Sequence, residues 1–237
     1  MRIDVITLFP AMFNGFARES MMKRAEAAGA VTITTVDPRD FARDARRTVD
    51  DKPYGGGPGM LMKPEPLFEA IESVLTPEAH VVLMAPAGRR FDQAAARRLA
   101  RERHLILVCG HYEGIDERVR RTLVDETLSI GDYVLTNGTL PAAVVTDAVV
   151  RLLPGVLGGG GEATEDESFT GNLLEHPQFT RPPVFRGMKV PEVLLRGDHG
   201  KVARWKKSRA EAETRRLRPD LLRRDNGGAA APETNKR

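Results

Sequence analysis

Five consecutive apolar residues, Leu105-Ile106-Leu107-Val108-Cys109, run without interruption and stop at Gly110. The run is too short for a helix of its own, and a strand that is apolar on both sides must be covered on both sides. Such a strand requires a sheet held between helices. The flanking sequence supplies the other layers. Ile3, Val5, Ile6 and Leu8 mark a first strand, followed by a predicted helix from Ala11 to Ala28 with Gly29 as its stop and a second strand from Val31 to Val36. Leu67, Phe68, Ile71, Val74 and Leu75 are spaced as the apolar stripe of a helix, and His80 to Ala85 reads as a strand ending at Pro86 and Gly88. Asp92 is placed to cap a helix running to about Glu102. After the central run come a short predicted helix, Ile115 to Val124, then Leu128-Ser129-Ile130 leading into Gly131-Asp132-Tyr133-Val134-Leu135, and an almost wholly apolar helix from Pro141 to Leu153 stopped by Pro154-Gly155. Strand and helix alternate throughout, which predicts an α/β fold with a mainly parallel sheet.

Three strand ends, at Gly88, Gly110 and Gly131, are marked by glycine. In open α/β sheets small ligands settle at the carboxyl ends of strands, where glycine leaves backbone N–H and C=O groups within reach. A ligand pocket is expected there. The Gly-x-Gly-x-x-Gly fingerprint and the Gly-x4-Gly-Lys-Ser/Thr loop are both missing, so neither a dinucleotide nor a nucleoside triphosphate is indicated. The single cysteine, Cys109, lies inside the apolar run, which excludes an intrachain disulfide and a thiolate zinc cluster. No metal site is predicted from the ligand residues.

Between Pro38 and Gly59 the alternation breaks, with Arg39, Arg43, Arg46 and Arg47 preceding Gly55-Gly56-Gly57-Pro58-Gly59. This stretch is expected to be a functional loop that contributes nothing to the core. From Gly158 to Gly171 the chain turns glycine-rich and acidic, with Glu162, Glu165, Asp166 and Glu167, as a flexible linker would. A second, smaller unit follows, in which Asp198 is placed to cap a helix from His199 to about Glu213 carrying Lys201, Arg204, Trp205, Lys206, Lys207 and Arg209. Residues 201–237 hold 12 Lys/Arg against 5 Asp/Glu, an excess of +7 in a chain whose formal net charge is +3. Basic charge concentrated at one end suits a polyanion such as nucleic acid. No apolar run reaches the length of a membrane span, and Met1-Arg2-Ile3-Asp4 does not open like a signal peptide, so a cytoplasmic protein is expected.

Several strings together resemble one family. Leu105 to Val119, containing Cys-Gly-His-Tyr-Glu-Gly-Ile-Asp-Glu-Arg, and Ser129 to Leu135 are similar to the cofactor segments of the bacterial tRNA (guanine-N1)-methyltransferases, knotted enzymes that use S-adenosylmethionine. The likeness runs from Met1 to about Leu222 and includes Asp50 to Met60, Pro154 to Gly158 and Thr180-Arg181-Pro182.

The resemblance implies a deep trefoil knot between about Pro86 and Leu140, a homodimer whose active site is shared, and tRNA as partner. It implies a cofactor site at Pro86, Gly110, Glu113, Ile130, Gly131, Asp132, Tyr133, Val134, Leu135, Gly138 and Leu140. The implied domains are a knotted methyltransferase domain over residues 1–158, an acidic linker over 159–172, a small, mostly helical tRNA-binding domain over 173–222 and a disordered tail over 223–237. The implied reaction is methylation at N1 of the guanosine immediately 3′ of the anticodon; methylation at another RNA position and non-catalytic RNA binding are the alternatives. The chemistry needs a base for the N1 proton and a nearby cation. By match the cation is Arg151, and the base is Asp166 counting forward from Gly158 or Glu167 counting back from Ser168-Phe169, with a magnesium ion as an expected assistant. Three residues depart from the family's usual ones: Asn137 stands for glycine, Thr139 for glutamate and Phe179 for tyrosine.

Overall fold

The computed structural model describes residues 1–158 and 167–226, which fall in two compact units, Met1–Gly160 and Gly161–Arg237. In the first unit the strands β1 (Arg2–Ile6), β2 (Thr32–Val36), β5 (Ala79–Arg90), β6 (His104–Cys109) and β7 (Glu126–Ser129) form one sheet in the order β2-β1-β6-β5-β7. Every pairing in it is parallel. β6 lies in the middle and is buried along its whole length. Its side chains alternate between two cores, Leu105, Leu107 and Cys109 entering one, Ile106 and Val108 the other.

Helices α1 (Pro10–Ala17), α2 (Ser20–Ala27), α4 (Gln93–Leu99) and α6 (Thr139–Val150) belong to the first face, where Phe13, Met22, Leu99 and Val145 pack together. α3 (Pro64–Glu72) and α5 (Glu117–Leu123) close the second face with Leu67, Ile71 and Val119. The expected helix from Ala11 to Ala28 is broken in two at Arg18-Glu19. Glu19 is extended and Ser20 has a positive φ of 49°, a turn that brings Phe13 and Met22 into the same core. No glycine or proline announces it.

The arginine-rich segment also differs from expectation. It contains a 3₁₀ turn, Pro38–Phe41, and a short strand pair, β3 (Asp50–Asp51) with β4 (Leu61–Met62), and it buries Val49 and Pro38. Arg39 is held inward by the Leu8 carbonyl at 2.6 Å. This stretch is therefore anchored to the core, not a bare loop.

One buried charge cluster sits at the amino ends of β1 and β6. The Asp4 carboxylate, fully buried, accepts hydrogen bonds from His104 Nε2 at 2.6 Å and from the Thr34 hydroxyl, and forms an ion pair with Arg2 Nε at 2.7 Å. A buried carboxylate is tolerated only when paired in this way.

The second unit contains the hairpin β8 (Val184–Phe185) and β9 (Met188–Lys189), a single helical turn α7 (Glu192–Leu195) and the long helix α8 (His199–Leu217). As expected, Asp198 caps α8, its side chain accepting from the Lys201 N–H at 3.0 Å. Trp205 packs with His176 and Phe179, ring centroids 6.1 and 6.3 Å away, so it ties α8 to the preceding extended segment. Thr214, buried on α8, accepts from the Leu174 N–H at 2.8 Å. Most of the tail predicted over 223–237 lies outside the described residues.

Candidate active site

At the carboxyl ends of β5, β6 and β7 the first unit contains a cavity of about 370 Å³. That is the size of a site for a small organic ligand. Three departures from regular structure open it. β5 does not stop at Ala85 as predicted; it bulges between Met84 and Arg89, then pairs again with Leu128 and Ser129. The excursion pushes Pro86 and Ala87 against the cavity. It is possible because Gly88 passes so close to β7 that an added Cβ would lie 2.5 Å from the Leu128 nitrogen.

The second departure is at Gly110, where β6 gives way to the turn His111 to Gly114. The Glu113 N–H donates to the Met60 carbonyl and the Met62 N–H to the Gly114 carbonyl, each at 3.0 Å. The glycine-rich loop is thereby fastened to the cavity rim. Gly59, with φ of 85°, leaves space that the Glu113 side chain fills, since an added Cβ would meet Glu113 Oε1 at 2.4 Å.

The third is the stretch after β7. The strand ends at Ser129, earlier than the apolar sequence suggests, because the Ser129 hydroxyl turns back to donate to the Gly131 carbonyl at 2.9 Å. Residues 130–137 then run as irregular backbone along the cavity, and His111 Nδ1 donates to the Thr136 carbonyl at 2.9 Å, joining the two loops. The Gly138 N–H donates to the Gly110 carbonyl at 2.8 Å, and α6 begins. Asn137, one residue ahead of the N-cap Gly138, closes a turn in which its side chain accepts from the Thr139 N–H at 2.9 Å, while the buried Thr139 hydroxyl bonds Thr7 Oγ1 at 2.8 Å. Two of the unusual residues thus have local structural roles.

Of the predicted cofactor positions, Pro86, Gly110, Glu113, Ile130, Gly131, Tyr133, Val134, Leu135 and Gly138 line the cavity. Asp132 and Leu140 do not. Asp132 is exposed on the outer side of its loop, and Leu140, half exposed, is turned away by the helical rotation that brings Pro141 to the cavity wall. Sequence reasoning did not single out His111, Tyr112, Thr136 or Asn137 as lining residues; their signal was only membership of the two turns. Cys109 lies below the floor, fully buried, and burial pushes its thiol far above the ordinary range, so it offers no thiolate nucleophile.

Neither Arg151 nor Glu167 lines this cavity. Arg151 follows α6 directly, its N–H bonded to the Asp147 carbonyl at 3.2 Å. The helical rise puts it roughly 15 Å along the axis from Pro141. Within a single chain it does not reach the cavity wall formed by the start of that helix. Glu167 lines a separate cleft of the second unit with His176, His199, Lys206 and Lys207, and its carbonyl accepts from the Thr170 N–H at 3.1 Å. Asp166 lies outside the described residues.

Residues 1–224 match the family described as tRNA (Guanine-1)-methyltransferase TrmD. The chain belongs to that family. It is 56% identical over 230 residues to the tRNA (guanine-N(1)-)-methyltransferase of Moorella thermoacetica, covering 95% of this chain and 92% of that one. The Geobacter sulfurreducens protein of the same name is 56% identical over 224 residues, 94% of this chain and 91% of its own length. That of Protochlamydia amoebophila is 53% identical over 222 residues, with 94% and 100% covered. Relatives of the tRNA (guanine-1)-methyltransferase family therefore match this chain across both units, not only around the cavity.

Proposed function

We propose that this chain, as a tRNA (guanine-N1)-methyltransferase, transfers a methyl group from S-adenosylmethionine to N1 of the guanosine immediately 3′ of the anticodon. The observation that carries the reading is the cavity itself. The segments that resemble the family's cofactor segments converge on it with glycine-freed backbone edges and apolar walls from Leu83, Met84, Leu128 and Ile130. Such a site suits a nucleoside-sized ligand with an apolar face. When bound, S-adenosylmethionine supplies an electrophilic methyl group on a sulfonium. The residues Pro86, Gly110, Gly131 and Gly138, which line the cavity, would hold and orient it.

The target base must leave its stack to reach this site. Its N1 proton would pass to the linker carboxylate, Asp166 or Glu167, freeing the N1 electron pair for the methyl group that the sulfonium would give up on becoming a thioether. Arg151 offsets the negative charge that develops on the guanine ring. Positioning of N1 in line with the methyl supplies the rest. An assisting magnesium ion would make the N1 proton of the guanine more acidic.

The domain roles follow: residues 1–158 bind the methyl donor, 159–172 bring the base, and 173–222 bind tRNA through Lys206 and Lys207 on α8. The stretch from Pro86 to Leu140 forms the knot, a reading that rests on the family resemblance of these segments. The working unit is a homodimer with shared sites. Support comes from the apolar ridge of Leu140 and Val144 on α6 and from Tyr133 and Val134 beside the cavity, all exposed in the single chain. Arg151, remote from its own chain's cavity wall, then serves at the shared site. No helix among the described residues is long and apolar enough to cross a membrane, and a tRNA substrate fits a cytoplasmic enzyme. The test is methyl transfer to tRNA transcripts that differ only at the nucleotide 3′ of the anticodon. Guanosine there should be methylated and adenosine not; equal transfer to both would overturn the assignment.

A further inference from the structure

Residues 181–190 read Arg-Pro-Pro-Val-Phe-Arg-Gly-Met-Lys-Val, with three cations and no carboxylate. In the structure they build the β8–β9 hairpin, Val184 opposite Lys189 and Phe185 opposite Met188, and residues 181–189 are all exposed. Val184, Phe185 and Met188 keep 50%, 55% and 65% of their surface in water. Exposed apolar side chains gathered on one short ribbon mark an interaction surface more often than a stabilising one.

The turn carries a second sign. Its two central residues, Arg186 and Gly187, both have positive φ, 49° and 78°, the geometry that matches the twist of a tight hairpin. Glycine adopts it freely, but the first position ordinarily takes Asn, Asp or Gly. An arginine is held there against the preference of its own Cβ. Its guanidinium carbon stands 5.3 Å from the Phe185 ring centroid. The first carboxylate downstream, Glu192, is paired with Arg196.

An exposed aromatic ring beside an arginine, flanked by Lys189 and Arg181 and free of local negative charge, has the chemistry that grips unpaired nucleotides. A base stacks on the ring or the guanidinium plane while the cations meet phosphates. We propose that the Val184–Lys189 hairpin is an RNA-binding finger that stacks an unpaired tRNA nucleotide on Phe185 and contacts the flanking phosphates through Arg186 and Lys189. This inference rests on the tRNA reading and adds a contact separate from Lys206 and Lys207.

The test uses the full chain and an unmodified tRNA transcript, with affinity measured by fluorescence anisotropy across a salt series. Phe185→Ala should weaken binding about tenfold or more with the salt slope unchanged, and Phe185→Trp should retain it. Arg186→Gly, which relieves the turn, should melt no lower than the parent while the salt slope falls by about 1. Unaltered binding in Phe185→Ala and Arg186→Gly, alongside weakened binding in Lys206→Ala/Lys207→Ala, would overturn the finger and leave the tRNA reading standing. A parent chain with no affinity for tRNA would remove both. If Phe185→Ala lowers the sedimentation mass, the hairpin is a contact between copies of the chain and the finger is wrong. Equal losses of S-adenosylmethionine and tRNA affinity would likewise count against it, as damage to the fold.

Discussion

The Gly138 N–H donates to the Gly110 carbonyl across 2.8 Å, closing the end of β6 against the start of α6. A Cβ at Gly138 would lie 2.8 Å from the Cys109 Cα and 3.1 Å from the Gly110 nitrogen. These neighbours are backbone and cannot swing aside. Gly138→Ala should therefore wedge the two segments apart, destabilising the fold by about 1–3 kcal/mol as overpacking does. S-adenosylmethionine affinity, read by calorimetry, should fall at least tenfold, about 1.4 kcal/mol. Unchanged affinity would mean that this junction does not shape the cofactor site.

The two linker carboxylates should separate in single-turnover methyl transfer with tRNA saturating. Glu167 lines the cleft of the second unit, as do Lys206 and Lys207. Asp166→Asn should slow the step by about 10²–10⁴, the usual contribution of a general base, and Glu167→Gln by less than about tenfold. The reverse pattern would assign the base to Glu167. Near-normal rates in both variants would refute a carboxylate base.

Sharing of the site can be read by mixing. Gly138→Ala chains and Asp166→Asn/Glu167→Gln chains should each be nearly inactive alone. If each cavity works with the linker of the other subunit, dimers re-formed from the mixture contain one intact combination, and activity returns. Mixtures that stay inactive, although exchange is verified by mass, would place each site within one chain.

Stability should depend on pH through His80 and Glu126, which are 2.9 Å apart, with Arg98 Nη2 2.7 and 2.8 Å from the two Glu126 oxygens. The hydrogen bond to Glu126 raises His80 above its ordinary 6.5 despite burial. Burial pushes Glu126 up, but the bonds from His80 and Arg98 outweigh it and hold the carboxyl below 4.5. The histidine contribution is complete below about pH 6.5 and fades as pH rises through the raised value; the glutamate contribution is present above about pH 4.5 and fades as pH falls through the lowered one. Urea unfolding should show His80→Gln destabilised most between those limits, by about 1 kcal/mol, with the difference shrinking at pH 8 and above. A gap independent of pH would show that His80 acts only by packing.

The main-sheet strands β1, β2 and β6, the parallel character of the sheet and the helix caps at Asp92 and Asp198 were legible because each rests on local periodicity, alternation or a short-range bond. The break at Arg18-Glu19 was not, since no residue there opposes a helix and only shared packing of Phe13 and Met22 requires the turn. Glycine after each of three predicted strands announced a pocket, yet β5 runs on past Gly88 and the shape depends on distant closures: Gly110 to Gly138, His111 to Thr136, Gly88 against Leu128. Ile130 to Leu135 look strand-like by composition, and a single serine hydroxyl turns them into cavity wall instead. Asn137 and Thr139 were visible as departures, whereas their partners, the Thr139 N–H and Thr7, emerge only in three dimensions.

The most direct test of the proposed reaction is the identity of the methylated nucleoside. The purified chain is incubated with S-adenosylmethionine and unmodified tRNA, the RNA is digested, and the products are mapped by mass spectrometry. The account predicts N1-methylguanosine, confined to the fragment that contains the nucleotide immediately 3′ of the anticodon. A methyl group on another atom or another nucleotide, or no transfer by a chain shown to bind both substrates, would contradict it.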